Sequence, residues 1–508
     1  GMIGIDCFEK YDEAAYSGIY LSGNSGEAAT DYDVGERRLT IEGGKTANIT
    51  GGLKAYSSDK DSTSTRIYIK GNDASVQNIV GGCVKVKTSS DRIIQVTGGT
   101  IEYSIFSGSN GKDTIKGDIG SLDGNTLVYV GGNAKIGGTN RLTINGSDGG
   151  DSLYGLQYGC ILGAGNGNSS VDTAGVVNSS HIIIDGNAKI ENNVYGGGNF
   201  AGVSGNTQID MYGGTVGGTV HGGSNNFGRI IGDANINITG GTINGNVADE
   251  SSITAEGEAK ENEAIFAGGY GLNTNINGNT NINISDKSGN VNINGNIYGG
   301  SAMGSVNQKS SITIKQENGN KIEILGNIFG AGKGSENNPS LNGSDITIIV
   351  DGGDYASVFG GANTRGYVNG NININIGENN PTNVDSVFGG GNNASLIDSK
   401  NSSPAETYED NVKLGKNATI TNVFNGGNNA SINKEFKLKL DINGSTVTNV
   451  YGGGNLGVVN GSTLIMVKEN ANIETIHGGG KNGNIIGNID LMISDSTIQN
   501  VYGGGENG

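Results

Sequence analysis

Short runs in which an aliphatic residue alternates with a polar one recur along the chain: Ile236/Ile238, Ile282/Ile284, Ile312/Ile314, Ile346/Ile348, Ile372/Ile374/Ile376 and Ile489/Leu491/Ile493. A period of two buries one face of a β-strand, and isoleucine with Asn or Thr in the gaps suits a half-buried pleat. The runs are too short to be helices. Each is followed by a second pattern, a branched residue and an aromatic that lead into glycine: Val194-Tyr195-Gly196, Val220-His221-Gly222, Ile297-Tyr298-Gly299, Ile328-Phe329-Gly330, Val358-Phe359-Gly360, Val387-Phe388-Gly389, Val450-Tyr451-Gly452, Ile476-His477-Gly478 and Val501-Tyr502-Gly503, with Ile265-Phe266 and Val423-Phe424 as looser copies. Consecutive aromatics lie 25 to 32 residues apart, except for one interval of 36 and one of 45. That is the period of a solenoid repeat. The long intervals contain polar inserts at 249–263 and 398–411, which a solenoid would expel as loops.

A third apolar position precedes the motif by four residues in Ile293/Ile297 and by three in Val447/Val450, Ile473/Ile476 and Ile498/Val501. The intervening Asn-Gly and Thr-Asn favour bends over helix, so a corner between short strands is expected there. Two or three short strands per repeat, joined by Gly and Asn bends, predict an all-β parallel β-helix, a single-stranded solenoid whose coils stack about 4.8 Å apart. Glycine fits because recurring bends demand positive φ and stacked corners leave little room for Cβ. Asparagine fits because its amide can bond to its equivalent one coil away. Residues 1–45 lack the motif and are expected to be a cap or an irregular first coil. Residues 46–508 are expected to be one helix, with degenerate coils to about 193 marked by Ile49-Thr50-Gly51-Gly52, Val96-Thr97-Gly98-Gly99, Val130-Gly131-Gly132-Asn133 and Ile161-Leu162-Gly163, and regular coils from about 194.

Composition narrows the classes. Glycine numbers 94 of 508 residues, yet proline numbers only 3 and no G-X-Y period exists, which excludes collagen. No run reaches the ~18 apolar residues of a membrane helix, so no membrane insertion by this segment is expected. A formal net charge of −18 argues against nucleic acid as a partner. Cys7, Cys83 and Cys160 are odd in number and far apart, encoding neither a disulfide framework nor a zinc site. Gly1 ahead of Met2, and an end within a Val-Tyr-Gly-Gly-Gly motif, read as the limits of a piece of a longer chain.

Chemistry is thinly encoded. In a stacked solenoid the aromatic position forms a ladder: exposed, it would be a platform for sugar rings; buried, it is core, the reading that the adjoining Val and Ile favour. His221 and His477 sit on that ladder as aromatic substitutes, and His181 shows no companion ligand. Asp148/Asp151 and Asp351/Asp354 are paired carboxylates of a kind that could divide acid and base work on a glycoside, but Asp-Gly-Gly-Asp reads first as a turn. The segment 146–153 resembles a calcium-binding nonapeptide that does not repeat, and Asp59 and Asp61 lack the rest of an EF-hand loop. Gly163-Ala164-Gly165 and Gly330-Ala331-Gly332-Lys333 precede no helix, so neither is a phosphate loop. No catalytic, metal-binding or ligand-binding residue is assigned, and no cofactor is expected.

The tandem Ile-Asn-Ile strands closed by Val-Tyr-Gly-Gly-Gly-Asn resemble the repeat regions of adhesin-like bacterial cell-surface proteins, well over residues 190–508 and loosely elsewhere. That resemblance implies a right-handed helix of pectate-lyase-like architecture and an extracellular location. Uniform coils suit a scaffold more than an enzyme, so a monomeric, non-enzymatic adhesin or stalk is expected, with host or microbial glycans or surface proteins as partners. Polysaccharide lyases and glycoside hydrolases share the fold class, so a carbohydrate-active enzyme with a groove built from the two inserts is the alternative. Its mark would be an Asp cluster with Arg or Lys on one face, and the scattered arginines show none. A calcium-stabilised surface segment is a third reading.

Overall fold

The computed structural model describes residues 18–21, 36–52, 63–82, 89–110, 124–139, 143–144, 147–148, 158–167, 175–247, 262–394, 396–397 and 408–507. Among them every regular element is a strand. The chain forms two compact units, one of residues 1–237, 241–244 and 269–275, the other of residues 238–240, 245–268 and 276–508. Each is a stack of parallel strands in the manner of a β-helix.

In the first unit the motif strands Asn48–Thr50, Ile79–Val80, Ile105–Phe106, Ile161–Leu162, Val194–Tyr195 and Val220–His221 pair in parallel, one coil to the next. The alternating strands Glu36–Ile41, Ser64–Ile69, Arg92–Val96, Asn125–Val130, Ser179–Ile184 and Thr207–Met211 form a second parallel sheet. A third sheet is made of two-residue strands such as Lys135–Ile136 and Lys189–Ile190. Within residues 1–45, Gly18–Tyr20 and Glu36–Ile41 join the first and second sheets in the same parallel sense as later coils.

This unit corrects the reading of the degenerate coils. Ile49-Thr50 and Ile161-Leu162 do lie on motif strands, but Val96 and Val130 end alternating strands; the true rungs between them are Val80 and Phe106. Two kinds of glycine pair caused the confusion. Gly99 and Gly132 turn the chain out of the alternating strand with φ of 72° and 59°, which an L side chain resists. The glycine after a true rung serves closeness instead. A Cβ on Gly81 or Gly196 would collide with the carbonyl oxygen of Ser107 or Gly222 one coil on.

The second unit repeats the plan more regularly. Its motif strands run Asn262–Phe266, Asn296–Tyr298, Ile328–Phe329, Gly353–Phe359, Thr382–Phe388, Ala418–Phe424, Thr446–Tyr451, Asn472–His477 and Thr497–Tyr502, each parallel to the next. The expected corner takes two forms that follow the spacing. Where four residues separate the apolar positions, Val291–Ile293 and Asn296–Tyr298 are distinct strands. Where three do, a single strand runs through the bend and one residue drops out of the pairing, as Ala356 does between Tyr355↔Val384 and Ser357↔Ser386.

Side chains alternate as the period of two requires. Ile282, Ile284, Ile312, Ile314, Ile346, Ile348, Ile372, Ile374 and Ile376 are all buried. At the start of the strand the inward residue is often Thr or Ser, whose buried hydroxyl donates to a rung glycine's carbonyl: Thr65 to Gly51, Thr207 to Gly222 and Thr280 to Gly299. Those carbonyls are thereby satisfied inside an apolar interior, where an unmade bond would cost about 1–3 kcal/mol.

Candidate functional site

The ladder that might have offered a sugar platform is core. In the second unit Phe266, Tyr298, Phe329, Phe359, Phe388, Phe424 and Tyr451 are buried, with successive ring centroids 4.5 to 5.0 Å apart and planes within 9° of parallel. In the first, Tyr195 stacks on His221 at 4.8 Å, and Tyr270 meets the imidazole edge-on. His221 accepts this place as a neutral ring, since burial pushes its pKa down to about 3. The buried rungs of this ladder therefore offer no platform to a sugar ring.

Amide ladders run beside the core. Asn199 donates to Asn166 and Asn225 to Asn199 in the first unit; Asn392, Asn428 and Asn455 each donate to the Asn of the preceding coil in the second, at 2.8 to 2.9 Å. Carboxylates also span coils. Asp286 accepts from the backbone amides of Glu317, Asn318 and Asn320, and Asp351 from those of Asn379 and Asn380. Burial alone would raise both carboxyls, but these amide bonds win and hold them below the usual carboxylate range. Asp351 is thus a loop clamp, while Asp354 is exposed and bonded to Asn383, so the two share no acid-base task. Of the other pair, Asp148 lies in the short strand Ser147–Asp148, and Asp151 lies outside the described residues. Asp59, Asp61, Cys7, Cys83 and most of both inserts are also outside them. Cys160 is fully buried, and its thiol pKa is pushed up to about 12 by that burial, so it is inert as a nucleophile.

Among the described residues, two places on the outer faces concentrate side chains of different chemistry. The first lies on the alternating sheet of the first unit, and it supplies the companion that His181 lacks in the sequence reading. His181 Nε2 sits 2.6 Å from Asp210 Oδ2 on the next coil, and the other oxygen of Asp210 accepts from Gln208 at 2.6 Å and Asn237 at 2.8 Å. Burial would raise the Asp210 carboxyl, but the bonds from His181, Asn237 and Gln208 hold it low. Two residues on, Tyr212 continues the same face, 42 % exposed, and its amide bonds to the carbonyl of Ile184. That places it beside Asp185, whose carboxylate accepts from Tyr129 and from the amide of Gly186. The charge of Asp210, then burial, then the charge of Asp185 raise the Tyr212 hydroxyl pKa.

The second such place lies in the second unit. Lys437, Lys439 and Asp441 alternate along the strand Ile432–Asn443, and Lys439 and Lys468 converge on Asp441 at 3.3 and 3.5 Å. Lys413, in register with Asp441, pairs with Glu378 at 3.0 Å. Lysines therefore gather on one face, where the sequence reading weighed only the scattered arginines, but around a single aspartate and not an Asp cluster. Their signal was the alternation Lys-Leu-Lys-Leu-Asp. Among the described residues no group of three His, Cys, Asp or Glu side chains gathers in a manner that could hold a metal ion.

No protein-family model, curated protein or solved structure matches the chain.

Proposed function

We propose that the chain is a non-enzymatic, extracellular segment of a bacterial cell-surface protein, an adhesin or stalk whose outer sheet faces bind glycans. The observation that carries this reading is how the polar groups are employed. Coil after coil, Asn, Thr and Asp side chains such as Asn428, Thr280 and Asp351 serve the stacking itself. A scaffold tolerates such uniformity, whereas an enzyme concentrates unmatched polar chemistry in one place. Long arrays of uncharged amides and hydroxyls outside, with apolar faces inside, suit a surface that meets hydroxyl-rich polymers. The resemblance of the Ile-Asn-Ile and Val-Tyr-Gly-Gly-Gly-Asn repeats to adhesin-like proteins supports the location.

The test is a glycan array and a polysaccharide-cleavage panel run on the same purified chain. Binding without release of reducing or unsaturated ends is expected; cleavage would overturn the reading. One observation favours the alternative, a polysaccharide-cleaving enzyme: Lys439 and Lys468 converge on Asp441, and Lys413, its register mate on the neighbouring coil, pairs with Glu378, so lysines collect on one face as an acidic polysaccharide would require. Cleavage of a polyuronate by the wild type, abolished in Asp441→Asn, would establish it.

A further inference from the structure

Large aromatic faces are scarce outside the core. Among the residues whose exposure is described, only Tyr212 and Tyr502 are exposed aromatics, and Tyr212 alone stands among charged groups on the alternating sheet of the first unit. Around it the acceptors are already arranged. A carboxylate offers about four lone-pair positions. Asp210 commits three of them, to His181, Gln208 and Asn237, so its role is to position the imidazole. Asp210 as a carboxylate accepts from Nε2, which leaves Nδ1 as the ring nitrogen for a further partner. Asp185 commits two positions, to Tyr129 and to the amide of Gly186, and keeps two. An aromatic platform flanked by a few fixed polar groups is the composition of a small-molecule subsite.

We propose that Tyr212, Asp185, Tyr129 and the His181–Asp210 pair form a subsite for one uncharged, hydroxyl-rich sugar unit of a glycan chain. The ring of Tyr212 takes the apolar C–H face of the sugar. Asp185 accepts from adjacent sugar hydroxyls, and His181 Nδ1 bonds to another. Charge selects the class: two carboxylates against one imidazole, in a chain of net charge −18, repel uronates and sulfated sugars. The inference rests on the glycan-binding reading above and names where and what the surface binds.

The experiment immobilises neutral gluco-, manno-, galacto- and N-acetylglucosamine oligomers beside polyuronate and sulfated oligomers, and probes them with the labelled full chain. The strongest neutral ligand is then titrated calorimetrically against the wild type, Tyr212→Ala, Tyr212→Phe and Asp185→Asn. The wild type is expected to retain a neutral oligomer, Tyr212→Ala and Asp185→Asn to weaken it at least tenfold, and Tyr212→Phe to stay within threefold. All these side chains lie on the outer face, so unchanged melting temperatures will show that the variants fold. Neutral binding that survives Tyr212→Ala and Asp185→Asn within twofold overturns the subsite and leaves the glycan-binding reading standing. Binding confined to anionic oligomers also overturns the subsite alone. A wild type that retains no oligomer overturns both.

Discussion

In the second unit one rung position holds Phe266, Tyr298, Phe329, Phe359, Phe388, Phe424, Tyr451, His477 and the exposed Tyr502 without a break, whereas the equivalent rung of the first holds Thr50, Val80, Phe106, Leu162, Tyr195 and His221. Both make the same parallel pairing. Stacking of aromatics is therefore not what defines the coil. What most rungs of the two share is the glycine that follows, at Gly51, Gly81, Gly163 and Gly196 in the first and Gly299, Gly330, Gly360 and Gly389 in the second, each facing a carbonyl oxygen of the next coil too closely for a Cβ; Ser107, Ala267 and Asn425 stand in its place. The rung sets how much the interior gains; the glycine, where it is present, fits a coil contact that leaves no room for a Cβ, while Ser107, Ala267 and Asn425 hold the same backbone bond to the next coil.

The sharpest way to break that comparison is to fill the glycine. Gly299→Val should drive a side chain into the Gly330 carbonyl and cost more than about 4 kcal/mol, enough to lose cooperative unfolding in urea. Gly196→Val in the first unit should be as severe, despite the different rung beside it. If either variant melts like the wild type, the glycine is not the shared determinant.

Changing the rung should cost less and should differ with the residue. Phe329 stacks on Tyr298 at 5.0 Å and on Phe359 at 4.8 Å, fully buried. Phe329→Ala is expected to cost about 3–5 kcal/mol through the cavity it leaves. Phe329→Leu copies Leu162 of the first unit and should cost only about 1–2 kcal/mol, the loss of two ring contacts in a core that still fills. Urea midpoints at constant m-value would separate the two.

Acid should single out the first unit through His221. Its pKa falls from 6.5 when unfolded to about 3 when buried beside Tyr195. Protonation thus favours the unfolded chain: the stability is whole above about pH 6.5 and drains away as pH falls toward 3, by a few kcal/mol at the acid end. His221→Phe keeps the stack and leaves the Thr219 hydroxyl bonded to Asn193, so it should flatten the fall of melting temperature between pH 6 and 4. In the second unit Asp286 and Asp351 have lowered carboxyl pKa values, so their contribution is present above about pH 3.8 and lost only as pH drops below it. A melting profile that His221→Phe leaves unchanged over that upper window would remove the distinction.

Much of this was legible before any coordinates, because a strand has only one period and a stacked motif must recur. Ile282/Ile284 and Ile297-Tyr298-Gly299 announce the two sheets without help. Val96-Thr97-Gly98-Gly99 misleads because a positive-φ turn and a close approach both select glycine, and the letters do not say which. The His181–Asp210 pair stayed hidden for a different reason. His181 and its register mate Gln208 are 27 positions apart, but Tyr195 and His221 only 26, so counting back from the motif slips by one. In a strand a slip of one turns every side chain to the opposite face. The alternation of Lys437, Lys439 and Asp441 is legible in the sequence, but the approach of Lys468 is not, because it lies on the next coil.

The smallest effect tests whether the amide ladder of the second unit is a chain of equal links. Asn428 donates to Asn392 and accepts from Asn455, both at 2.8 Å, so removing it strands an acceptor on one coil and a donor on another. Both sites are only part-buried, and water can replace some of what is lost. Asn428→Ala should therefore cost about 1–2 kcal/mol. Asn428→Asp keeps the acceptor for Asn455 but sets a carboxylate against the Asn392 carbonyl oxygen. It should match the alanine variant near pH 7 and recover as pH falls through the range of that new carboxyl, because the protonated acid can donate to Asn392 again. Equal loss for both variants at every pH would mean that side-chain volume, not the hydrogen-bonded ladder, is what position 428 contributes.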